Sequence, residues 1–196
     1  MIEVFEIVKL TWLFTFLSFF IIPFLPQKIK AHLFILLVLI NGITSTWLVA
    51  PALTGNNLEL SFYAGSLFQN IPVRIDGLSA WFVIIVNFTT LMGGIYGIGY
   101  MKPYSEQKSN TTQHWILFVI FQISMLWVCI LQHSFVFLVA WEIMSISSLL
   151  LVVFEQNKKE TVKAGINYLV QMHIGVAVLT VAFIWVYLKV GSFDFK

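Results

Sequence analysis

Six apolar runs decide what this chain can fold into. They cover residues 7–25, 31–53, 78–100, 115–131, 135–154 and 162–188. Each approaches the roughly 20 apolar residues that a helix needs to cross the hydrocarbon core of a bilayer. A backbone in hydrocarbon has no water to bond, so at this length helices are the structures that satisfy it. Composition agrees, with 59% hydrophobic and 10% charged residues, against roughly 25% charged in soluble domains. The predicted fold class is an all-α membrane protein, a polytopic bundle of about six transmembrane helices.

The links set the orientation. The link after the first run carries Lys28 and Lys30, and the link after the third carries Lys102 and Lys108. The link after the fifth, EQNKKETVK, carries Lys158, Lys159 and Lys163. Lys9, Arg74, Lys189 and Lys196 fall on the opposite side, so seven basic residues face four. Basic residues accumulate on the cytoplasmic side, which predicts both termini outside. The outer loop 54–76 alternates in LELSFYAGSLF and predicts a short hairpin. Pro51 predicts an early end or kink in the second helix. Gly93 and Gly97 have small-xxx-small spacing, which favours close helix contact. Almost nothing separates runs four and five around Gln132 and His133, so they form a tight antiparallel pair.

Several chemistries are excluded. The single cysteine, Cys129, cannot make an intrachain disulfide. No Cys/His cluster predicts a metal or iron–sulfur site, and no GxGxxG or P-loop predicts a nucleotide, so neither metal nor cofactor is expected. A net charge of +2, spread over several loops, gives no nucleic-acid surface. The N-terminal segment, with Glu3 and Glu6 and no A-x-A site, does not read as a cleavable signal peptide.

Glu142 lies in the middle of run five. Insertion of an acidic residue at a helix centre costs roughly 2.5–3.5 kcal/mol, and intramembrane carboxyls commonly mark ion or proton paths. A carboxyl in low dielectric can hold and release a proton near neutral pH. Glu142 is therefore the leading proton-relay candidate, the alternative being a structural carboxyl bonded to neighbouring helices. Ser145, three residues on, shares its face and is a candidate hydrogen-bond partner. Ser147 and Ser148 point elsewhere and fit helix packing. In run six, Lys163, Asn167 and Gln171 share one face, and His173 lies about 200° from Gln171. His173 is the second relay candidate, because imidazole ordinarily titrates near neutral pH; its alternative is a packing role. Lys163 reads as an interfacial anchor that snorkels. Asn87, Gln122 and Ser124 read as interhelical hydrogen-bond donors. Trp12, Trp47, Trp81 and Trp115 read as interfacial belts.

Five motifs carry a family resemblance. VRIDGLSAWF (73–82) followed by YGIGYM (96–101) resembles the N-terminal region of complex I chain 5. WEIMSISSLLL (141–151) resembles the fifth-helix motif of antiporter-like, proton-conducting subunits. YLVQMHIGVAVLTVAF (168–183) with GSFDF (191–195) is similar to the hydrogenase-4 and formate-hydrogenlyase membrane branch. The resemblance divides the chain into 1–70, two helices and an outer loop; 71–113, a chain-5-like region with the third helix; and 114–196, the start of a proton-conducting domain. It implies that Glu142 is the family's fifth-helix glutamate, which pairs with a lysine on a later, broken helix. Members of the family are much longer, so the chain is expected to be the N-terminal part of such a subunit, truncated or completed by a separate polypeptide.

The implied function is proton translocation, or sometimes sodium translocation, in a complex I-like or hydrogenase-4-like redox assembly, as a subunit that performs no redox chemistry itself. The implied setting is a prokaryotic plasma membrane, with the lipid bilayer and other membrane subunits as partners and no nucleic acid. Two alternatives stand beside it: a Mrp-type cation/proton antiporter or inorganic-carbon uptake subunit, and a structural fragment that docks without transporting. Topology is directly testable. Reporters fused after Lys30, Ser109 and Asn157 should read as cytoplasmic and one after Asn70 as external; an external signal at Lys30 or Asn157 inverts the orientation.

Overall fold

The computed structural model describes residues 2–65, 70–104 and 108–195. Its helices are α1 (Ile2–Ile21), α2 (Gln27–Val49), α3 (Gly77–Tyr100), α4 (Lys108–Ile130), α5 (Ser134–Val152) and α6 (Lys159–Val190). All six are long and apolar enough to cross a membrane. The expected hairpin forms between α2 and α3, with β1 (Leu58–Tyr63) antiparallel to β2 (Asn70–Ile75) and Leu58 opposite Ile75.

The helix ends follow from local chemistry. Pro51 cannot donate into a continuing helix, and α2 gives way there to a 3-10 turn, Ala50–Thr54. Gly55, at φ 90°, closes that turn in the left-handed region that glycine adopts without strain. Asp76 caps α3, accepting from the Ser79 N–H at 2.9 Å and from Ser79 Oγ at 3.1 Å. The Ser79 N–H holds the Asp76 carboxyl below its ordinary range, and Arg74, with Nε 3.7 Å away, acts in the same direction.

The largest buried cluster joins Phe5, Val8 and Trp12 of α1 to Leu48, Val73, Val83 and Leu126. A second gathers Ile22, Phe34, Val38, Met101, Trp115 and Val119. Two of the four tryptophans read as belts belong to these cores. Trp115 is 2% exposed and stacks on Phe34 at 6.3 Å; Trp12 is 8% exposed and meets Trp127 at 4.7 Å. For Trp115 the reason is steric: α4 approaches α3 at Gly97, and the indole fills the space that glycine leaves. Trp47 and Trp81 are exposed, as a belt requires.

Buried amides tie the first four helices together. Asn87 Nδ2 on α3 lies 3.1 Å from Gly42 O, 2.8 Å from Ser45 Oγ and 3.0 Å from Thr46 Oγ1, all on α2. Gln122 Nε2 on α4 donates to Val38 O at 3.2 Å and to Asn87 Oδ1 at 3.4 Å. Asn41 Nδ2 reaches Thr15 Oγ1 on α1 at 3.2 Å. Such interhelical bonds contribute roughly 0.6–2 kcal/mol each in membranes. Ser124 donates instead to Phe121 O in its own helix.

The α4–α5 link joins the hairpin at one end of the bundle. Gln132 N donates to Pro72 O at 3.0 Å, and Leu131 bridges to Val73. The GSFDF segment then folds back from α6 onto the same link. Phe193 O accepts from Ser134 N and Ser134 Oγ, each at 2.8 Å, and Phe195 N donates to Gln132 O at 2.9 Å. Tyr187 and Phe193 stack at 4.0 Å. At the opposite end Lys30 is buried, its Nζ donating to Pro23 O at 3.0 Å and Thr112 Oγ1 at 2.8 Å.

Gly97 gives the sharpest test of the packing. A Cβ there would lie 3.1 Å from Trp115 Cη2, whereas at Gly93 it would lie 3.6 Å from Phe118 Cζ. Gly97→Leu should destabilise the detergent-solubilised chain by about 1–3 kcal/mol, read as a lower thermal midpoint. An unchanged midpoint would mean that α3 and α4 separate freely there.

Candidate functional site: a carboxyl–imidazole pair between two helices

Glu142 and His173 face each other across α5 and α6. Glu142 Oε2 lies 3.8 Å from His173 Nε2, with the two side chains 30% and 50% exposed. The other ring nitrogen, Nδ1, lies 2.9 Å from Leu169 O, one turn back in α6. A carbonyl oxygen only accepts, so Nδ1 carries the hydrogen in this bond. In the neutral ring Nε2 is therefore the nitrogen without a hydrogen, and it is the one directed at the carboxyl.

The α5–α6 seam explains the arrangement. Gly165 and Val176 are the buried residues of α6, and Leu169, His173 and Thr180 follow the same three- and four-residue spacing. Lys163, Asn167 and Gln171 are exposed. The angle between Gln171 and His173 thus places the histidine, not the amide, against α5. Ser145 is buried at 3% exposure, and its hydroxyl donates to Trp141 O at 2.9 Å. Its oxygen keeps lone pairs for accepting. Ser147 similarly donates to Ile143 O at 2.7 Å.

A second polar cluster joins the α3–α4 and α5–α6 links. The Tyr104 hydroxyl donates to Glu155 Oε1, and Lys158 Nζ lies 2.6 Å from Glu155 Oε2. The accepting carboxylate pushes the Tyr104 phenol up to about 12, and the same carboxylate raises the Lys158 ammonium. Sequence reading did not single out Tyr104; the available signal was the acidic residue opening EQNKKETVK. It also did not foresee that GSFDF fastens α6 to the start of α5.

Comparison with known proteins bears on this geometry. The family model described as NADH:quinone oxidoreductase/Mrp antiporter, TM matches residues 131–196, which contain both Glu142 and His173. The model for the complex I chain 5 N-terminus matches residues 62–110. The chain belongs to the antiporter-like membrane subunit family. Hydrogenase-4 component B of Escherichia coli is 31% identical over 128 residues, covering 65% of this chain and 19% of that protein. A Staphylococcus saprophyticus protein named as antiporter subunit mnhA2 is 25% identical over 168 residues, covering 85% of this chain and 21% of its own length. This chain thus spans about a fifth of the curated relatives it matches. A chain in the structure of an archaeal membrane-bound sulfane sulfur reductase superposes with a TM-score of 0.76 over 96% of this chain and 38% of that one, at 17% identity. That likeness is one of fold.

The Tyr104 cluster is open to spectroscopic titration. The phenolate absorbance lost in Tyr104→Phe should appear near pH 12 in the parent chain. In Glu155→Gln it should move back toward the ordinary value of about 10, since no carboxylate then opposes ionisation. A Tyr104 titration unaffected by Glu155→Gln would remove the pair.

Proposed function

We propose that this chain forms part of a proton-translocating membrane subunit of a complex I-like or hydrogenase-4-like redox assembly, in which Glu142 and His173 exchange a proton. The observation that carries this reading is the pair itself, with Nε2 directed at the carboxyl and Nδ1 occupied by Leu169 O. Two titratable groups face each other inside spanning helices, where such groups are costly and commonly mark proton paths. The proton sits on Glu142 beside a neutral ring, or on His173 as an imidazolium beside a carboxylate. The second arrangement is stabilised by charge attraction across the 3.8 Å gap. Ser145 is the further polar group on this helix face, with its oxygen able to accept.

The reading places the chain in a prokaryotic plasma membrane with both termini outside, supported by the basic-residue bias and by the bacterial and archaeal sources of its relatives. The redox steps lie elsewhere in the assembly. A second reading, a Mrp-type cation/proton antiporter subunit, is favoured by the mnhA2 match over 85% of the chain. Both use the same pair and differ in what the proton movement is coupled to, a redox reaction or a counter-moving cation.

In the reconstituted assembly, Glu142→Gln should reduce proton translocation at least tenfold, as expected when a proton-transfer group is lost. Glu142→Asp should retain part of it. Membrane insertion and assembly should persist, because removal of an intramembrane charge eases insertion. Normal pumping by Glu142→Gln would refute the relay; failure to assemble would make Glu142 a structural carboxyl.

A further inference from the structure

We propose that Gly165 is a positioning residue that sets the Glu142–His173 separation, an inference that rests on the relay reading above. Little of α6 is buried, and Gly165 is one of its two buried residues. A Cβ built there would stand 2.2 Å from Val153 Cγ1 and 3.6 Å from Leu149 Cδ1. The first separation is far inside van der Waals contact. Val153 is β-branched and stiff at χ1, so its methyl has little room to turn away. Glycine is therefore what lets α6 lie against the end of α5.

At its other end α6 is fastened by the bonds of Phe193 and Phe195 to Ser134 and Gln132. The two attachments bracket the pair. Adding a methyl at Gly165 pushes one end of α6 away while the Phe193 clasp holds the other. The helix then pivots about the clasp. His173 lies on the Gly165 side of the lever and moves outward by roughly 1 Å, judged from the helical rise between these residues. A gap of 3.8 Å widens, and both the charge attraction and the overlap needed for proton exchange fall with distance.

The geometry also names its own rescue. Val153→Ala removes the Cγ methyl that the new Cβ meets, so Gly165→Ala combined with Val153→Ala returns α6 to its seat. The experiment measures the 15N–13C dipolar coupling between the His173 ring and the Glu142 carboxyl by solid-state NMR. It uses the whole chain in lipid bilayers, with His173→Gln and Glu142→Gln assigning the signals. Coupling should be present in the parent, weakened in Gly165→Ala and restored in the double variant. In the reconstituted assembly, translocation should fall roughly tenfold or more in Gly165→Ala and return with the second substitution. Unchanged coupling in Gly165→Ala overturns the proposal, as does lost coupling that Val153→Ala does not restore. Coupling that weakens and recovers while translocation stays constant leaves Gly165 as the spacer but defeats the relay reading, so the two failures are distinct.

Discussion

A polar side chain inside hydrocarbon has no water to bond, and the arrangement of this bundle follows from that constraint. Most hydroxyls on the spanning helices meet it locally: Thr90 donates to Val86 O, Ser147 to Ile143 O and Thr180 to Val176 O. An amide on a longer stem cannot easily do this and reaches a neighbour instead. Asn87 and Gln122 therefore become ties between α2, α3 and α4. A carboxyl faces a harder problem, since the backbone of its own helix offers carbonyl acceptors and no spare N–H. Among the described residues, Glu142 finds its charge partner across an interface, at His173.

The interface that holds this pair differs from the rest. The first four helices share two apolar cores and a set of buried amide bonds. Helix α6 instead meets α5 along a narrow seam centred on Gly165 and Val176, with much of its apolar surface exposed. The clasp formed by GSFDF supplies at one end the registration that a broad core would otherwise supply. Elements with few buried contacts are those that open most readily. The Glu142–His173 pair thus lies on a seam with few buried residues, beside a scaffold tied by many.

Much of the fold was legible because spanning length and proline placement act within a single segment. Pro51 ends α2, the alternating outer loop is the β1–β2 hairpin, and Gly97 faces α4. Asn87 and Gln122 were legible for the same reason, since an amide in an apolar run needs a partner. Trp12 and Trp115 were not. Position along a helix gives depth, but Trp115 is buried because of Gly97 on another helix. For the site, sequence marked Glu142 and showed that His173 and Gln171 diverge, yet the wheel of one helix cannot say which side meets α5. Gly165 escaped notice because its role depends on Val153 in another segment. Tyr104 and Glu155 likewise meet only once two separate links are folded together.

The tautomer fixed by Leu169 O has a further consequence for proton traffic. With Nδ1 engaged, the exchange we propose runs through Nε2 and Glu142 Oε2. A proton that moves between these atoms leaves the pair's net charge at zero, whether the state is carboxylic acid and imidazole or carboxylate and imidazolium. Such a move relocates a proton but loads none. Loading means a second proton, giving a neutral acid beside an imidazolium with a net charge of plus one in low dielectric. Losing the remaining proton gives net minus one and calls for a nearby cation. Lys163 is exposed near the start of α6, on the face it shares with Asn167 and Gln171, and is not that cation. In the proposed relay, occupancy of the pair follows the charge that approaches its open side, so a charge that moves there alternately favours loading and release.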